Sequence, residues 1–521
     1  MRKVLLYICS VFILGGMTSC EDFLDKREDV GLTEDDIFRD YYSLRGFLDQ
    51  SFNQLENVMV MDNWENGRAF VGLFADEMAT TDNSSAVFTL HSGNWLSNAK
   101  SNKTFEIGNA GSTAISRSYK ALRINNRIIN DIDKAPLTPE QKNEILGQAY
   151  FYRSWFYFQI IKRYGGMPII DKVFEGGDDD IPRMTYHESH DWMMEDIQKA
   201  IYMLPDSWDD PNYGRPTKIA AMALKEWAQL FDASPLMQND LNSTENKGYD
   251  TERAKSAAKS AYEVIRYMDG SKSAPYPYGL ASKEEYTNVF YFKYPPVHQP
   301  EYIWVKRQFP NAANQNQKRT IRTFWQYEDL AFGSGPDGNS MCCPSLNIVN
   351  MFDKKGADGI YYPIDDPRSG YALDYDHKPF EDRDPRFYNN ILLPGTTWGH
   401  YADGRTYYIT TYKGGAAYQH MLTQKDCNKR MFTGFMCKKF MWPECNQYLE
   451  KNNPNCWWDY RFLTIYIRAS QIYLDYAEAL FEGCGSATAT IEGCPISAAE
   501  AINILRRRIG LTDLPSDIVA D

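Results

Sequence analysis

Apolar positions recur at the 3.6-residue spacing of a helix over most of the first half of the chain. Thr33 with Asp36 opens the first stretch, and Ile37, Tyr41, Leu44, Leu48, Phe52 and Leu55 fall on one face of a single helix. Ile115, Tyr119, Leu122, Asn126, Ile129 and Ile132 form a second stripe, in which Asn126 is a polar member of an apolar row. Ile145, Ala149, Tyr152, Phe156 and Ile160 mark a third helix over 141–164, stopped by Gly165-Gly166 and Pro168. Thr185 and Glu188 stand at capping-box spacing ahead of Met194, Ile197, Ile201 and Leu204, and Pro205 closes that helix. Pro216-Thr217 opens the next, with Ala220, Ala223, Leu224, Trp227 and Phe231, and Thr251 to Met268 is Ala-rich and helical. Paired helices carrying Ala at packing positions predict antiparallel hairpins of the tetratricopeptide kind, although no strict repeat of about 34 residues is visible.

The pattern changes near Ser271. From there to about Tyr460 the chain is dense in Gly, Pro, Asn, Tyr and Trp, with only short strand-like runs, Tyr302-Ile303-Trp304-Val305 and Tyr407-Tyr408-Ile409. So long a stretch without periodicity inside a globular chain usually carries function. Helix returns at Arg468–Phe481 and again at Ser497, where Glu500 stands at capping-box spacing before Ile502, Leu505 and Ile509. The fold expected is mainly α: a helical-hairpin region over 20–270, an irregular aromatic-rich region with short strands over 271–460 that holds the ligand, and C-terminal helices over 461–521.

Residues 1–19 read as a leader. Arg2 and Lys3 precede an apolar run from Val4 to Met17, too short for the helix of about 20 residues that spans a bilayer. Thr18-Ser19 then lead to Cys20, as in a bacterial lipobox, so Cys20 is the expected lipidation site. Acyl chains on this one cysteine would supply stable anchoring, and no later segment reaches 18 consecutive apolar residues. The mature protein is therefore expected to be tethered to a membrane and not to cross it.

Composition narrows the function classes. The 521 residues carry a net charge of −13, and no Lys/Arg run exceeds Arg506-Arg507-Arg508, which argues against a nucleic-acid partner. Twelve Trp, 36 Tyr and 27 Phe make 14% of the chain aromatic, and amphipathic rings beyond the needs of a core often line binding surfaces. No G-x-S-x-G, G-x-x-x-x-G-K-[ST] or H-E-x-x-H occurs, so catalysis has no positive sign. His187-Glu188-Ser189-His190 is one residue short of the zinc-protease spacing and reads as solvated helix surface. Asp365-Asp366 and Asp178-Asp179-Asp180 lack the alternation of a calcium loop and read as solvated turns. Neither a cofactor nor a metal is expected. Beyond Cys9 and Cys20, eight cysteines remain, an even number in an exported chain. Cys484 and Cys494 flank a small-residue loop in a repeated Glu-Gly-Cys context, so a disulfide between them is expected, worth roughly 3 kcal/mol for a loop of about ten residues. Free buried thiols are the alternative.

Several motifs, in order along the chain, resemble those of the SusD/RagB-like surface lipoproteins of Bacteroidota. Cys20-Glu21-Asp22-Phe23-Leu24-Asp25 looks like the start of the mature family member, including the acidic residues that direct lipoproteins to the cell surface. Phe74-Ala75-Asp76-Glu77 follows, then Tyr152-Arg153-Ser154-Trp155-Phe156-Tyr157-Phe158 leading to Arg163-Tyr164-Gly165-Gly166-Met167-Pro168. Arg215-Pro216-Thr217-Lys218-Ile219-Ala220-Ala221, Asp384-Pro385-Arg386-Phe387 with Leu393-Pro394-Gly395, and Arg468-Ala469 through Ile472-Tyr473-Leu474 to Tyr476-Ala477-Glu478-Ala479 complete the set. The family continues beyond the helix at 497–509 with an Arg/Glu-rich helix and a closing segment. This chain stops at Asp521, soon after Leu511-Thr512-Asp513, so a C-terminus truncated relative to the family is expected.

The resemblance implies a non-enzymatic, surface-exposed outer-membrane lipoprotein that binds glycan and delivers it to a SusC-like TonB-dependent transporter. A surface glycoside hydrolase, needing two carboxylates about 5–9.5 Å apart, and a peptide-binding RagB-like receptor are the alternatives. In the resembled family the sugar face combines the loop after the Asp-Glu motif with loops of the irregular middle region. Here those stretches hold Asp76, Asn94-Trp95 within His91-Ser92-Gly93-Asn94-Trp95, Trp325 and Tyr327 within Thr323-Phe324-Trp325-Gln326-Tyr327, and Trp398 between Thr397 and Gly399. A sugar ring has an apolar C–H face and a hydroxyl rim. Trp95 and Trp325 are therefore the expected stacking platforms and Asp76 and Asn94 the rim partners, with Tyr327 and Trp398 as further ligand-binding candidates. Core packing is the open alternative for Trp325 and Tyr327.

Overall fold

The computed structural model describes residues 33–55, 75–79, 114–174, 180–238, 247–274, 276–291, 299–307, 343–374, 376, 378–400, 406–410, 412–415, 433–439 and 463–520. The helices begin at caps that the sequence supplies. Thr138 with Gln141, and Thr185 with Glu188, form complete capping boxes at the starts of two long helices. The expected single helix over 33–55 is instead two. A short helix, Glu34–Phe38, has its own box at Thr33 and Asp36, and Asp40 then starts a second by accepting the Ser43 N–H at 2.8 Å. A capping carboxylate competes with the helix backbone, so Asp40 breaks the stripe that periodicity runs straight through. At the other end, Ser497 accepts from the Glu500 N–H at 3.2 Å, but the Glu500 carboxylate takes Arg507 Nη2 at 2.5 Å, so only half of the expected box forms.

Among the described residues eight long helices form the array: α1 (Tyr41–Gln54), α2 (Ala114–Asp131), α3 (Pro139–Tyr164), α4 (Tyr186–Met203), α5 (Lys218–Ala233), α6 (Thr251–Gly270), α7 (Ala469–Cys484) and α8 (Ala498–Arg508). Each packs on the next in order, and α1, α3, α5 and α7 also touch in succession, so alternate helices form one layer of a tetratricopeptide-like stack. The fourth hairpin, α7–α8, docks on α6 although residues 271–468 separate them in the chain. The Gly165-Gly166 turn lets the chain leave α3. Gly165 caps the helix at φ +77°, and a Cβ on Gly166 would lie 2.1 Å from the Met184 carbonyl oxygen.

The strands are short: β1 (Met78–Ala79), β2 (Tyr302–Arg307), β3 (Cys343–Pro344), β4 (Lys354–Lys355), β5 (Tyr361–Tyr362), β6 (Ile391–Leu392), β7 (Thr397–His400), β8 (Thr406–Tyr408), β9 (Met436–Cys437) and β10 (Leu463–Arg468). They pair antiparallel in twos, β1 with β3, β2 with β10, β4 with β5, β6 with β9 and β7 with β8. Four consecutive buried residues, Tyr302 to Val305, show that β2 is covered on both faces. Its Trp304 meets Phe151 and Trp155 of α3 edge-on at 4.8 and 4.7 Å, with Tyr466 of β10 4.7 Å away. The strand pair thus seals the aromatic side of the helical layer. Smaller apolar clusters sit outside the array, one around Val289, Phe290, Leu463 and Ile509 and another around Val349, Phe352, Phe387 and Ile391.

Two sequence readings change here. Cys484 and Cys494 are free thiols, not the expected bridge. Cys494 is buried with its Sγ turned toward the Ala258 carbonyl of α6 at 4.0 Å, and burial raises its thiol pKa, which disfavours the thiolate needed for exchange. The His187–His190 pair is not solvated surface either. His190 is buried, and His187 Nδ1 lies 2.7 Å from Oδ1 of the buried Asp232, which also pairs with Arg253.

Candidate ligand-binding site

Asp76 is exposed and stands on the turn just before β1. Pairing of β1 with β3 brings this turn to a segment within the irregular aromatic-rich region. There Ser345 caps a short helix, Leu346–Asn350, by accepting the Ile348 N–H at 3.3 Å. Its hydroxyl donates to the Asp76 carbonyl, and its N–H donates to the Glu77 carbonyl at 2.9 Å. Asn347 Nδ2 donates to Asp76 Oδ2 at 3.3 Å, which orients the carboxylate and adds an amide beside it. Sequence reasoning missed Ser345 and Asn347. The Pro344-Ser345 pair, a cap signal of the ordinary kind, was the available clue.

Behind this turn partly buried cations gather. Lys439 has its ammonium pushed down to about 8 by burial, with Arg468 and Arg386 adding repulsion and Cys437 and Glu77 opposing it. Its Nζ lies 4.7 Å from the Phe290 ring centre, and the Arg468 guanidinium lies 4.9 Å from the same ring. Asp384, fully buried, accepts the Arg386 N–H at 2.8 Å and its Nη2 at 2.6 Å, and so fixes the Asp-Pro-Arg-Phe motif. These groups support the site. An exposed carboxylate with an amide neighbour can accept and donate to hydroxyls, whereas acid–base chemistry would need a second positioned carboxylate facing it.

Of the other predicted residues, Asn94, Trp95, Trp325, Tyr327 and the lipidation candidate Cys20 lie outside the described residues. Trp398 lies on β7, and only its backbone is described. The Asp178-Asp179 pair is likewise outside. Asp366 is a helix cap that accepts the Arg368 N–H at 2.8 Å and pairs with the Arg368 guanidinium. Among the described residues no three His, Cys, Asp or Glu side chains gather as metal ligands, and no helix is long and apolar enough to cross a membrane.

A second concavity, unforeseen in the sequence, lies between the α4–α5 connection and the start of β2. It is a small cleft of about 40 Å³ lined by Trp208, Tyr213, Tyr276, Tyr278, Gln299 and Trp304 among others. Its rings come from stretches separated by up to about a hundred positions, so no local pattern could have grouped them.

Two family models match the chain in tandem. One, described as SusD-like and starch-binding, associating with the outer membrane, covers residues 22–226, and the SusD family model covers residues 300–519. Among solved structures, a SusD-like protein of Bacteroides fragilis superposes with a TM-score of 0.64 at 22% identity, over 93% of this chain and 81% of that one. A SusD-like carbohydrate-binding protein of the same organism gives 0.62 at 19%, again over 93% and 81%. A structure described as holding a xylogluco-oligosaccharide gives 0.55 at 16%, over 91% and 78%. No curated protein matches the chain. The motifs read from the sequence, the hairpin array with its strand-paired insert and the two successive family matches agree: the chain belongs to the SusD/RagB family.

Proposed function

We propose that the protein is a non-catalytic, surface-exposed outer-membrane lipoprotein that binds glycan and passes it to a SusC-like TonB-dependent transporter. The observation that carries the reading is the β1–β3 pairing, which joins the Asp76 turn to a segment within the irregular aromatic-rich region. In the chain Asn94 and Trp95 follow β1, and Trp325 and Tyr327 precede β3. Trp95 and Trp325 stack on sugar rings there, with Tyr327 and Trp398 extending the platform, and Asp76 and Asn94 meet the hydroxyl rim. The xylogluco-oligosaccharide in one structure of the same fold supports glycan as the ligand class.

A screen of glycans and peptides by array and retardation gel tests this. Retention of a glycan without product release is expected. Released product would favour a hydrolase, and retention of peptides alone a RagB-like receptor. Trp95→Ala and Trp325→Ala should each weaken glycan binding by on the order of 1–3 kcal/mol, by analogy with stacking of bases on aromatic rings, with little change in Tm. Unchanged affinity in both variants would refute the site. Anchoring is read by protease shaving of intact cells carrying the wild type or Cys20→Ala. Wild-type protein that resists added protease would refute surface display. Co-purification from detergent-solubilised membranes should recover the transporter.

A further inference from the structure

We propose that Glu226 of α5 and Asp475 of α7 hold a calcium ion between the two helices. The proposal is independent of the glycan-binding reading and shares no residue with the site around Asp76.

The first observation is a charge without a partner. Among the described residues the buried acidic side chains are Asp196, Glu226, Asp232, Glu301 and Asp384. Four of them meet an arginine: Asp196 takes Arg153, Asp232 takes Arg253, Glu301 takes Arg508 and Asp384 takes Arg386. Glu226 is the exception. It is 0% exposed, and neither of its carboxyl oxygens has a hydrogen-bond partner among the described residues. A carboxylate taken out of water needs a cation, a donor or a proton. Glu226 has instead a second acid, Asp475, within hydrogen-bonding reach. Asp475 is met by the Gln471 amide at 3.1 Å, and the charged group acting on it from further along α7 is another acid, Glu478. The field between the helices is therefore negative on every side that bears on the pair.

The second observation is the donor set, which is all oxygen. Gln229 stands three residues after Glu226, on the same face of α5, and its buried Oε1 is likewise without a partner among the described residues. Gln471 stands one turn before Asp475, and its amide can present oxygen in place of nitrogen by a flip. Carboxylate and amide oxygens select hard cations such as calcium and magnesium over zinc or copper. Two carboxylates balance one divalent charge. Asp475, Gln229 and Gln471 are partly exposed, so water can complete a shell that two acids alone leave open. Calcium accepts such an irregular shell, whereas magnesium demands a near-ideal octahedron. Full burial of Glu226 leaves room for a bare ion and not for the ammonium of a partner's lysine. An ion here would join two helices that the 271–468 stretch separates in the chain.

The test uses the full chain at pH 8, freed of metal by a chelator and then dialysed. Calcium at about 10 mM should raise Tm by about 2 °C over sodium chloride of equal ionic strength, and magnesium should raise it less. Glu226→Gln, which keeps the side chain's shape and removes its charge, should lose the rise, as should Asp475→Asn. Glu381→Gln, at an exposed acid, should keep it. Terbium luminescence supplies a readout apart from stability. Terbium excited through Tyr249, whose hydroxyl meets Glu478 at 2.8 Å, should give a signal that calcium displaces and that falls at least about tenfold in Glu226→Gln. Calcium responses that persist in both acid variants would place the ion elsewhere and overturn the assignment. A wild type with neither a calcium-dependent Tm nor displaceable terbium would show that the pair is held by a shared proton. A larger rise with magnesium than with calcium would also refute the proposal.

Discussion

Asn126, the polar residue in the apolar stripe of α2, is fully buried. Its Nδ2 donates to the carbonyls of Ile170 and Lys172 at 3.0 and 3.1 Å, and its Oδ1 accepts Arg153 Nη1 at 2.9 Å. Arg153 in turn forks onto Asp196 at 2.5 and 2.8 Å, so one polar network pins α2, α3 and α4 to the 170–172 segment. Removing one partner strands the other charge in the core. Asp196→Leu should cost about 3–5 kcal/mol, read as a lower urea midpoint, whereas replacing Arg153 and Asp196 together by apolar residues should cost much less. Gly166→Ala should cost about 3 kcal/mol, the upper range of overpacking, because its Cβ would meet a main-chain carbonyl that cannot swing aside. Periodicity placed Asn126 on the inward face. It could not name partners on other helices, because a repeat of apolar positions records a face and not what the face touches.

At the scale of elements, α5 and α7 meet through an acidic pair. Glu226 is fully buried, neither of its carboxyl oxygens has a donor partner among the described residues, and it faces Asp475. Burial raises both carboxyls, Glu226 well above its ordinary range and Asp475 to about 7, with Glu478 adding repulsion and Gln471 Nε2 opposing it through a 3.1 Å bond to Asp475. Their unfolded values lie near 4, so the folded chain holds protons that the unfolded chain has released. Stability from the pair is full below that value and falls as pH rises toward 7. Thermal unfolding should therefore show lower stability at pH 8 than at pH 6. Glu226→Gln should flatten that slope and raise the melting temperature at pH 8 relative to the wild type. Helix positions were legible because caps and breakers act within a turn, as at Thr138, Thr185 and Gly165. The two local misreadings, at Asp40 and Glu500, arose where a side chain had a second use within reach.

For the whole molecule, Glu301 joins the insert to the ends of the array. It is fully buried at the start of β2 and accepts the Ala281 N–H at 3.1 Å, Arg508 Nη1 of α8 at 2.8 Å and Arg468 Nη1 before α7 at 3.4 Å. Glu301→Leu should leave two guanidinium groups short of a partner and cost about 3–5 kcal/mol. Hydrogen exchange should then show β2 and β10 losing protection while α3 keeps its own; uniform loss would mean that Glu301 does not act as a local joint. The hairpin array could be read from the sequence because each helix carries its own pattern. For the candidate site, the sequence supplied Asp76 and its motif but not Ser345 and Asn347, because loop partners meet through pairing between distant segments. The late fourth hairpin bears on how the protein is made. The face of α6 carrying Ala258 and Tyr262 is covered by α7 and the Cys494 segment, with Tyr262 lying 5.8 Å from Tyr476. During synthesis that face stays bare until the whole 271–468 stretch has emerged. A nascent chain with an uncovered repeat edge invites contact with other unfinished chains, so that edge needs shelter until synthesis is complete, and the arrival of α7 works as the latch that ends the exposure.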